Sequence, residues 1–542
     1  MRVEDTYMEP PQPLFRDYLH FFHKVKPYYT YDPGDDSGFR RRAKVLERRE
    51  DPVSRERLAD VLSEYHGREL QHPAIQANLD RLRRPDSLVV VGGQQAGVLT
   101  GPLYTVYKAI TLIQLAEREE QRLNRPVIPL FWIAGEDHDL EEVNHLHLVS
   151  GTEVEKVTLP LEITGNPSVS EVVPGPNVWL SWIDGLGRKL PDTPHKKGLL
   201  ETLRNLSRDP ISLSRHFARL LHRLFGHHGL LMIDSAYPPL RRLEVPFFEW
   251  LIEHNEAFAE AVMTQAEQLE RDGYPVEVDV KPDKAHLFLI SNGERRALHR
   301  RNDGTFFSRE GMDGFSRESL LAYLRRHPAA FSNNVLTRPL MQEYLFPTLA
   351  TVLGPGEIAY WALLKPAFHL AGMEMPLLVP RSGFTLVGRK SQKELSRYGL
   401  TVDDVIHRLE RKKRSWLERR YQLDVDAAFG RLRTRLEEAY RPLIGEISGI
   451  RPDLNELGQT NLGEVFKQVD YLEKETRKAM EKRRETDLRR FAGLEAELNP
   501  GGQLQERVHN LVPWWNRYGE NWLEELIRTP LLSKNLHRVV HL

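Results

Sequence analysis

The stretch from Leu88 to Ala116, LVVVGGQQAGVLTGPLYTVYKAITLIQLA, constrains the fold of this chain more than any other. Leu88, Val89, Val90 and Val91 form a β-branched, apolar run, which predicts a strand buried on both faces. Gly92 and Gly93 are expected to end it, where a turn needs positive φ or a ligand needs close backbone approach. Gln94, Gln95, Ala96, Gly97, Thr100, Gly101 and Pro102 make an amide- and glycine-rich loop. From Leu103 the apolar period becomes helical, with Val106, Ile110, Ile113 and Leu115 near one face. N–H groups at such a helix start are unsatisfied and favour an anion, phosphate or carboxylate. Lys108 can add a point charge there, and Tyr104 joins the same candidate site. The pattern is neither G-x-G-x-x-G nor a P-loop ending in G-K-[ST]. Glycines after a strand also occur in turns that bind nothing, and the local pattern leaves both readings open.

A second buried strand is predicted at Val127–Ile133, running into WIAGEDHDLEEVNH (Trp132 to His145). Glu136, Asp137, His138 and Asp139 then follow the carboxyl end of an apolar strand, which is the ligand-binding edge of an open α/β sheet. A capped helix start explains part of this cluster: Asp137 or Asp139 as N-cap, Glu141 and Glu142 in the first turn. Asn144 closes the segment as a further binding candidate. His138, Glu142 and His145 recur at helical spacing, but the pattern is not H-E-x-x-H, and no protein-held metal is expected. Mg²⁺ accompanying a nucleotide would need only one or two carboxylates.

The chain has 542 residues, too many for one ordinary core. Its net charge of −1 gives no basic field for nucleic acid or anionic membrane. It contains no cysteine, which excludes disulfides, thiolate metal sites and a cysteine nucleophile. MRVEDTYMEPPQPLF lacks the apolar core of a signal peptide, and no apolar run is long enough to span a membrane, so a cytoplasmic location is expected.

Residues 1–87 read as helical. From Ser150 to about Thr193 short alternating runs, EVEKVTLPLEI and SVSEVV, predict β-hairpins in an insertion. GLLMIDS is a third core strand ending at Asp234 and Ser235, and Tyr274 to Ser308 gives further strands with a tight turn at Asn302-Asp303-Gly304. In the next core stretch Asn334, Arg338 and Gln342 step by four, which places them on one helical face. Glu357, Tyr360 and Trp361 follow a Gly354-Pro355-Gly356 turn and can wall a pocket. Arg381 and Ser382 end one more strand. From about Val387 to Leu498 the chain is rich in Arg, Lys, Glu and Leu. Val425, Phe429, Leu432, Leu436, Tyr440 and Leu443 face Val465, Val469, Leu472, Thr476, Ala479 and Arg483 in an expected antiparallel coiled coil. Pro442 is expected to kink its first helix, and Gly458 to lie near the turn. The aromatic tail from 499 to 542 is expected to pack back on the core.

Together GGQQAGVLTGPLYTVYKA, PLFWIAGEDHDLEEVNH, LGPGEIAYWALL and the late coiled coil resemble the cysteine ligase family of bacillithiol biosynthesis, along essentially the whole chain. The resemblance implies an α/β fold. Its Rossmann-type core would span 1–386 with two connecting-peptide insertions, about 150–196 and 273–330, followed by a coiled coil at 387–498 that makes a homodimer. It implies addition of L-cysteine to glucosaminyl-malate, with an adenine nucleotide, ATP or ADP, bound in the core or at a second place near the coiled coil. It carries over no catalytic residues, so those expectations rest on the residues themselves. Amide formation in water needs an activated carboxylate, N–H groups and a cation against developing charge (Gly93–Gly101 and Lys108), and a base. Among Glu136, Asp137, His138 and Asp139 the imidazole titrates nearest neutrality, so His138 is the expected base. Arg338 or Arg381 suits malate's carboxylates. A nucleotidyltransferase acting on another small molecule, or a non-catalytic coiled-coil scaffold, would share most of these features.

Overall fold

The structure is a computed structural model that describes residues 1–291, 293–308, 312–421, 424–530 and 537–542. The valine-rich run is strand β1 (Leu88–Gln94), and the helical period after it is α1 (Leu103–Leu123). Then come β2 (Val127–Ile133), α2 (Leu213–Phe225), β3 (Leu231–Asp234) and α3 (Pro238–Glu253). A hairpin of β4 (Lys284–Ser291) and β5 (Glu294–Arg300) and the short β6 (Phe331–Asn333) precede β7 (Thr348–Leu353), α4 (Pro355–Trp361) and β8 (Leu377–Pro380).

Strands β8, β7, β1, β2 and β3 lie side by side in that order, all parallel. Every residue of β2, and β1 as far as Gly93, is buried, which is why these strands read as unbroken apolar runs. The chain lays β2 and β3 on one side of β1 and returns to its other side for β7 and β8. The winding therefore reverses between β1 and β7, and the crevice at their carboxyl ends is where such sheets bind ligands. β4, β5 and β6 belong to a separate antiparallel sheet in which β4 is paired by both β5 and β6.

Several sequence expectations change here. β1 runs through Gly92 and Gly93 to Gln94, and neither glycine has positive φ. They are small for packing instead. A Cβ on Gly92 would meet Leu112 at 3.2 Å, and one on Gly93 would meet the Trp132 carbonyl oxygen at 3.0 Å. Positive φ comes later, at Leu99 (49°), Thr100 (76°) and Gly101 (66°). After a hairpin of His145–Ser150 and Glu153–Thr158, the next segment holds helices Pro176–Lys189 and Lys196–Leu206 rather than more strands. SVSEVV is a turn in which Glu171 accepts from the Ser168 backbone and hydroxyl, both at 3.0 Å. The amino-terminal segment is not wholly helical, because Arg2–Thr6 is a strand pairing antiparallel with His537–His541.

By its contacts the chain divides into two units, one of Met1–Leu148, Glu155–Leu386 and Gln505–Leu542, the other of Val149–Val154 and Val387–Leu504. The first includes the tail helix α7 (Asn521–Arg528), numbered here after the two long helices of the second, α5 (Val425–Ser448) and α6 (Leu454–Leu498). α5 and α6 are antiparallel: Arg433 pairs with Asp470 and Glu473, both at 2.6 Å, and Arg477 reaches Asp426 at 2.5 Å. Val425, Ile444 and Val469 are buried in their seam, whereas Leu432, Leu443 and Leu472 are 38%, 51% and 56% exposed. Ile444, one place past the expected Leu443, is the inward residue. Gly458 lies in the first turns of α6, near the connection as expected, and a Cβ there would meet Ile444 Cγ1 at 2.7 Å, so it also sets the close approach of the helices. Pro442 sits within α5, which continues to Ser448. Residues 389–420 form three shorter helices ahead of the long pair. No described helix is long and apolar enough to cross a membrane.

Candidate functional site

A cavity of about 580 Å³ opens at the carboxyl ends of β1 and β2. Gly93, Gln94 and Gln95 form one wall, followed by Trp132, Ala134 and the run Glu136, Asp137, His138. The β4–β5 hairpin closes over it with Lys284, His286, Phe288 and Arg295, while Asn333, Asn334, Arg338, Glu357 and Tyr360 complete the rim. Its size suits a polar metabolite with a second small substrate.

The acidic run divides into distinct roles. Glu136 is buried and ion-paired with Arg241 of α3, which also holds Glu244 at 2.6 Å. Burial pushes the Glu244 carboxyl up to about 7, against the pull of Arg241. Glu136 is therefore committed to a buried charge cluster. Asp137 accepts from Gln95 Nε2 at 2.6 Å and from the His138 backbone at 2.8 Å, with its carboxylate still partly open to the cavity. Gln95 also donates to Glu142 at 2.8 Å, tying the glycine loop to the acids. Asp139 is exposed at the start of a single helical turn, Leu140–Val143, and Asn144 ends it; neither lines the cavity. That turn is too short to stack His138, Glu142 and His145 on one face.

Arg295, which sequence reasoning passed over, organises the wall opposite. It donates to Ser332 Oγ at 2.9 Å and the Asn333 carbonyl at 2.7 Å, and lies 3.7 Å from the centre of the Phe288 ring. Its Nη1 stands 3.2 Å from His138 Nδ1. A guanidinium only donates, so Nδ1 carries the lone pair and Nε2 the proton. The imidazole, expected from the sequence to be the base, lines the cavity with that N–H. Burial draws the Arg295 pKa down, and Glu136 and Asp137 oppose that. Arg338 bonds Gln342 at 3.1 Å and has no carboxylate partner among the described residues, leaving its charge for a ligand. Asn334 does not share its helical face: it precedes the helix and accepts from the Leu336 and Thr337 backbones, both at 2.9 Å.

Three buried groups on the cavity have unpaired polar atoms: Trp132 Nε1, His286 Nε2 and both side-chain atoms of Asn333. An unmade buried hydrogen bond costs about 1–3 kcal/mol, so these atoms fit a polar ligand's donors and acceptors. His286 has φ of +55° inside β4, where the pairing with β5 slips between Lys284 and Phe288. That bulge aims a ring from an otherwise regular strand. Burial pulls its pKa down to about 4, so it is neutral. No sequence pattern marks such a residue. Arg295 lay in a segment read only as an insertion.

The glycine loop is differently placed from the expectation. Lys108 is buried, and its Nζ bonds the Gly93 carbonyl at 2.6 Å, Gln94 Oε1 at 3.1 Å and Glu357 Oε2 at 2.6 Å. It neutralises Glu357 and is not a free point charge for a ligand. The α1 start is occupied as well, since the Leu103 N–H donates to the His509 carbonyl at 2.8 Å. Asn510 Nδ2 donates to the carbonyls of Leu99 at 2.8 Å and Gly101 at 2.7 Å. Gly92, Gly97, Thr100, Gly101 and Tyr104 accordingly do not line the cavity. Nor does Trp361, which is fully buried against Phe368, nor Arg381, which pairs with Glu506 at 2.5 Å.

A family model described as the N-terminal Rossmann-like domain of bacillithiol biosynthesis BshC matches residues 1–382, and one for its C-terminal coiled-coil domain matches 384–542. Relatives named "Putative cysteine ligase BshC" agree over the full length. The protein of Geobacillus kaustophilus (strain HTA426) is 38% identical over 544 residues, covering 100% of both chains. That of Bacillus licheniformis is 35% identical over 546 residues, again 100% of both. That of Bacillus cereus (strain AH187) is 32% identical over 534 residues, 98% of both.

Proposed function

The chain belongs to the BshC family of bacillithiol biosynthesis, and from that premise we propose that it joins L-cysteine to glucosaminyl-malate by an amide bond, in the cytoplasm, as a homodimer. The observation that carries this reading is the cavity at the β1/β7 reversal, with the unpaired charge of Arg338 and unsatisfied donors and acceptors at Trp132, His286 and Asn333. A sugar with hydroxyls, an amine and two malate carboxylates is the kind of ligand such a lining suits. Arg338 is assigned to a carboxylate, and His286 and Asn333 to hydroxyl groups.

Activation falls to ATP. The cysteine carboxylate attacks a phosphorus atom, forming an acyl-adenylate with loss of pyrophosphate or an acyl-phosphate with loss of ADP. The glucosamine nitrogen then attacks the acyl carbon and expels AMP or phosphate. Its ammonium must first lose a proton, a task assigned to Asp137, whose carboxylate is held by Gln95 and still reaches the cavity. His138 Nε2–H, backed by Arg295, is placed to donate to the developing oxyanion. Mg²⁺, when bound, travels with the nucleotide and neutralises its phosphates.

The test is a mass-spectrometric product assay with purified protein, L-cysteine, glucosaminyl-malate and ATP, with AMP and ADP measured together. A cysteinyl adduct formed in step with either nucleotide supports the reading and identifies the activation mode. Saturable binding of both substrates without turnover in the presence of ATP would overturn it.

A further inference from the structure

The second chemistry-bearing cluster lies at the other end of the parallel sheet. His227 and His228 form a single turn between α2 and β3, ahead of the amino end of β3, whereas the cavity lies beyond the carboxyl ends of the strands. Both rings converge on one carboxylate of the tail helix α7. His227 Nε2 is 2.7 Å from Glu524 Oε1, and His228 Nε2 is 3.2 Å from each Glu524 oxygen. The three ligand atoms lie within 4.8 Å of one another, the one such trio among the described residues.

We propose that His227, His228 and Glu524 bind a divalent transition-metal ion of the zinc class, which clamps the tail helix to the core. Zinc takes imidazole nitrogen at about 2.0–2.1 Å and carboxylate oxygen at about 2.0–2.2 Å in a tetrahedron, so adjacent donor atoms stand roughly 3.3 Å apart. The nitrogen–oxygen spacings here, 2.7 and 3.2 Å, bracket the approach to that value, and no two of the three donor atoms stand farther apart than 4.8 Å. Two imidazoles with one carboxylate favour zinc, nickel or copper over the oxygen-seeking magnesium and calcium. Side-chain exposures of 44% for His227, 23% for His228 and 33% for Glu524 leave the fourth position to water. Each imidazole would present its Nε2 lone pair with the proton on Nδ1.

The backbone prepares this convergence. Gly229, with φ of +73°, ends the turn in the left-handed region. One helical turn earlier on both partners, Arg223 and Glu520 form a bidentate pair with both contacts at 2.9 Å. The four-residue steps from 223 to 227 and from 520 to 524 put both sets of contacts on facing sides. That pair registers α7 before any ion arrives, so binding need not order the tail. The proposal departs from the sequence expectation of no protein-held metal, because this site joins residues 296 and 297 positions apart, beyond the reach of any local pattern.

The experiment uses the full chain, stripped with chelator and titrated with Zn²⁺, with Co²⁺ as an optical probe and hydrogen exchange read over residues 521–528. One equivalent should bind, give the visible bands of tetrahedral Co²⁺ and slow exchange in α7. His227→Gln changes a side chain nearly half in water, so the fold should survive, which melting without metal checks. Losing an outer-shell contact already costs about 10–100-fold in metal affinity, so loss of a direct ligand should cost at least roughly 100-fold. Glu524→Gln should behave alike. No stoichiometric Zn²⁺ binding by the wild type, or undiminished binding and α7 protection in His227→Gln, would overturn the proposal. Both outcomes are independent of ligase turnover.

Discussion

Lys108 Nζ lies 2.6 Å from Glu357 Oε2, and this contact fastens α1, behind β1, to α4, behind β7. The same ammonium holds the carbonyl of Gly93 and the amide oxygen of Gln94, while Glu357 accepts from the Gly354 N–H at 2.7 Å. The two strands that flank the reversal of the sheet are thus held by one ion pair at the cavity's edge. The lysine is 1% exposed and the glutamate 26%. Burial draws the lysine pKa down, and the glutamate opposes this.

That asymmetry predicts unequal effects. Glu357→Gln strands a cation that water cannot reach, whereas Lys108→Met leaves an anion that can hydrate. Removing one member of a fully buried pair costs about 3–5 kcal/mol; Glu357→Gln should approach that figure and Lys108→Met should fall below it. The double variant should recover part of the loss. Denaturant melts of the four proteins decide it, and equal single effects that simply add would show that the pair is not coupled.

Arg295→Lys should keep the fold and slow product formation. A lysine cannot meet Ser332, the Asn333 carbonyl and His138 at once, so the imidazole loses its tautomer and position. A misplacement of this kind costs about 100-fold in rate. The readout is kcat from the product assay beside an unchanged melting temperature. A rate within twofold of wild type would remove Arg295 from the reaction.

Acid should destabilise the protein through its buried histidines. Burial pulls His66, His286 and His537 down to about 4 and His216 to about 3, from the ordinary 6.5. Folded, these rings stay neutral, whereas the unfolded chain takes up their protons below pH 6.5. Stability is then fully present above that pH and falls as pH drops towards 4, by about 1.4 kcal/mol per pH unit for each histidine. His66 shows why: its Nδ1 bonds the Leu62 carbonyl at 2.8 Å and its Nε2 accepts from the Met232 N–H at 3.3 Å. His66→Gln should flatten the pH dependence of the unfolding midpoint by one proton's worth. An unaltered slope would show that this ring does not contribute.

Leu432, Leu443, Leu457, Tyr471 and Leu472 remain exposed on the two long helices and Ile450 in the turn between them, more apolar surface than a lone hairpin should show water. Replacing residues 400–497 by a short linker should convert a dimer to a monomer in light scattering. A truncated protein that stays dimeric would place the interface on the first unit.

What the sequence disclosed, and what it hid, follows from the range of the interactions. β1 and β2 were legible because strands buried on both faces have no polar positions to blur them, and Val127–Ile133 has the same bounds in both readings. Asp137 and His138 were legible because they follow such a strand directly. Lys108 was misjudged because its partner lies 249 residues away, and nothing local distinguishes a lysine that meets a ligand from one that meets Glu357. Gly92 and Gly93 looked like a turn, yet what excludes a Cβ there is a neighbouring helix and strand. His286 and Arg295 lie on a hairpin with unremarkable alternation, and only a bulge and a long-range pairing turn them inward.

The clasp of Asn510 on the glycine loop has a temporal side. Its amide reaches Leu99, 411 residues earlier in the chain. At synthesis rates of about 5–20 residues per second, roughly 20–80 seconds separate the two on the ribosome. β1, α1 and β2 emerge together and can pair at once, but the loop between them waits, its carbonyls unanswered, until both long helices have been made. The nascent protein therefore carries paired core strands beside an unfinished glycine loop. Chaperone capture during that interval should concentrate on the 95–103 segment and end when residue 510 clears the exit tunnel.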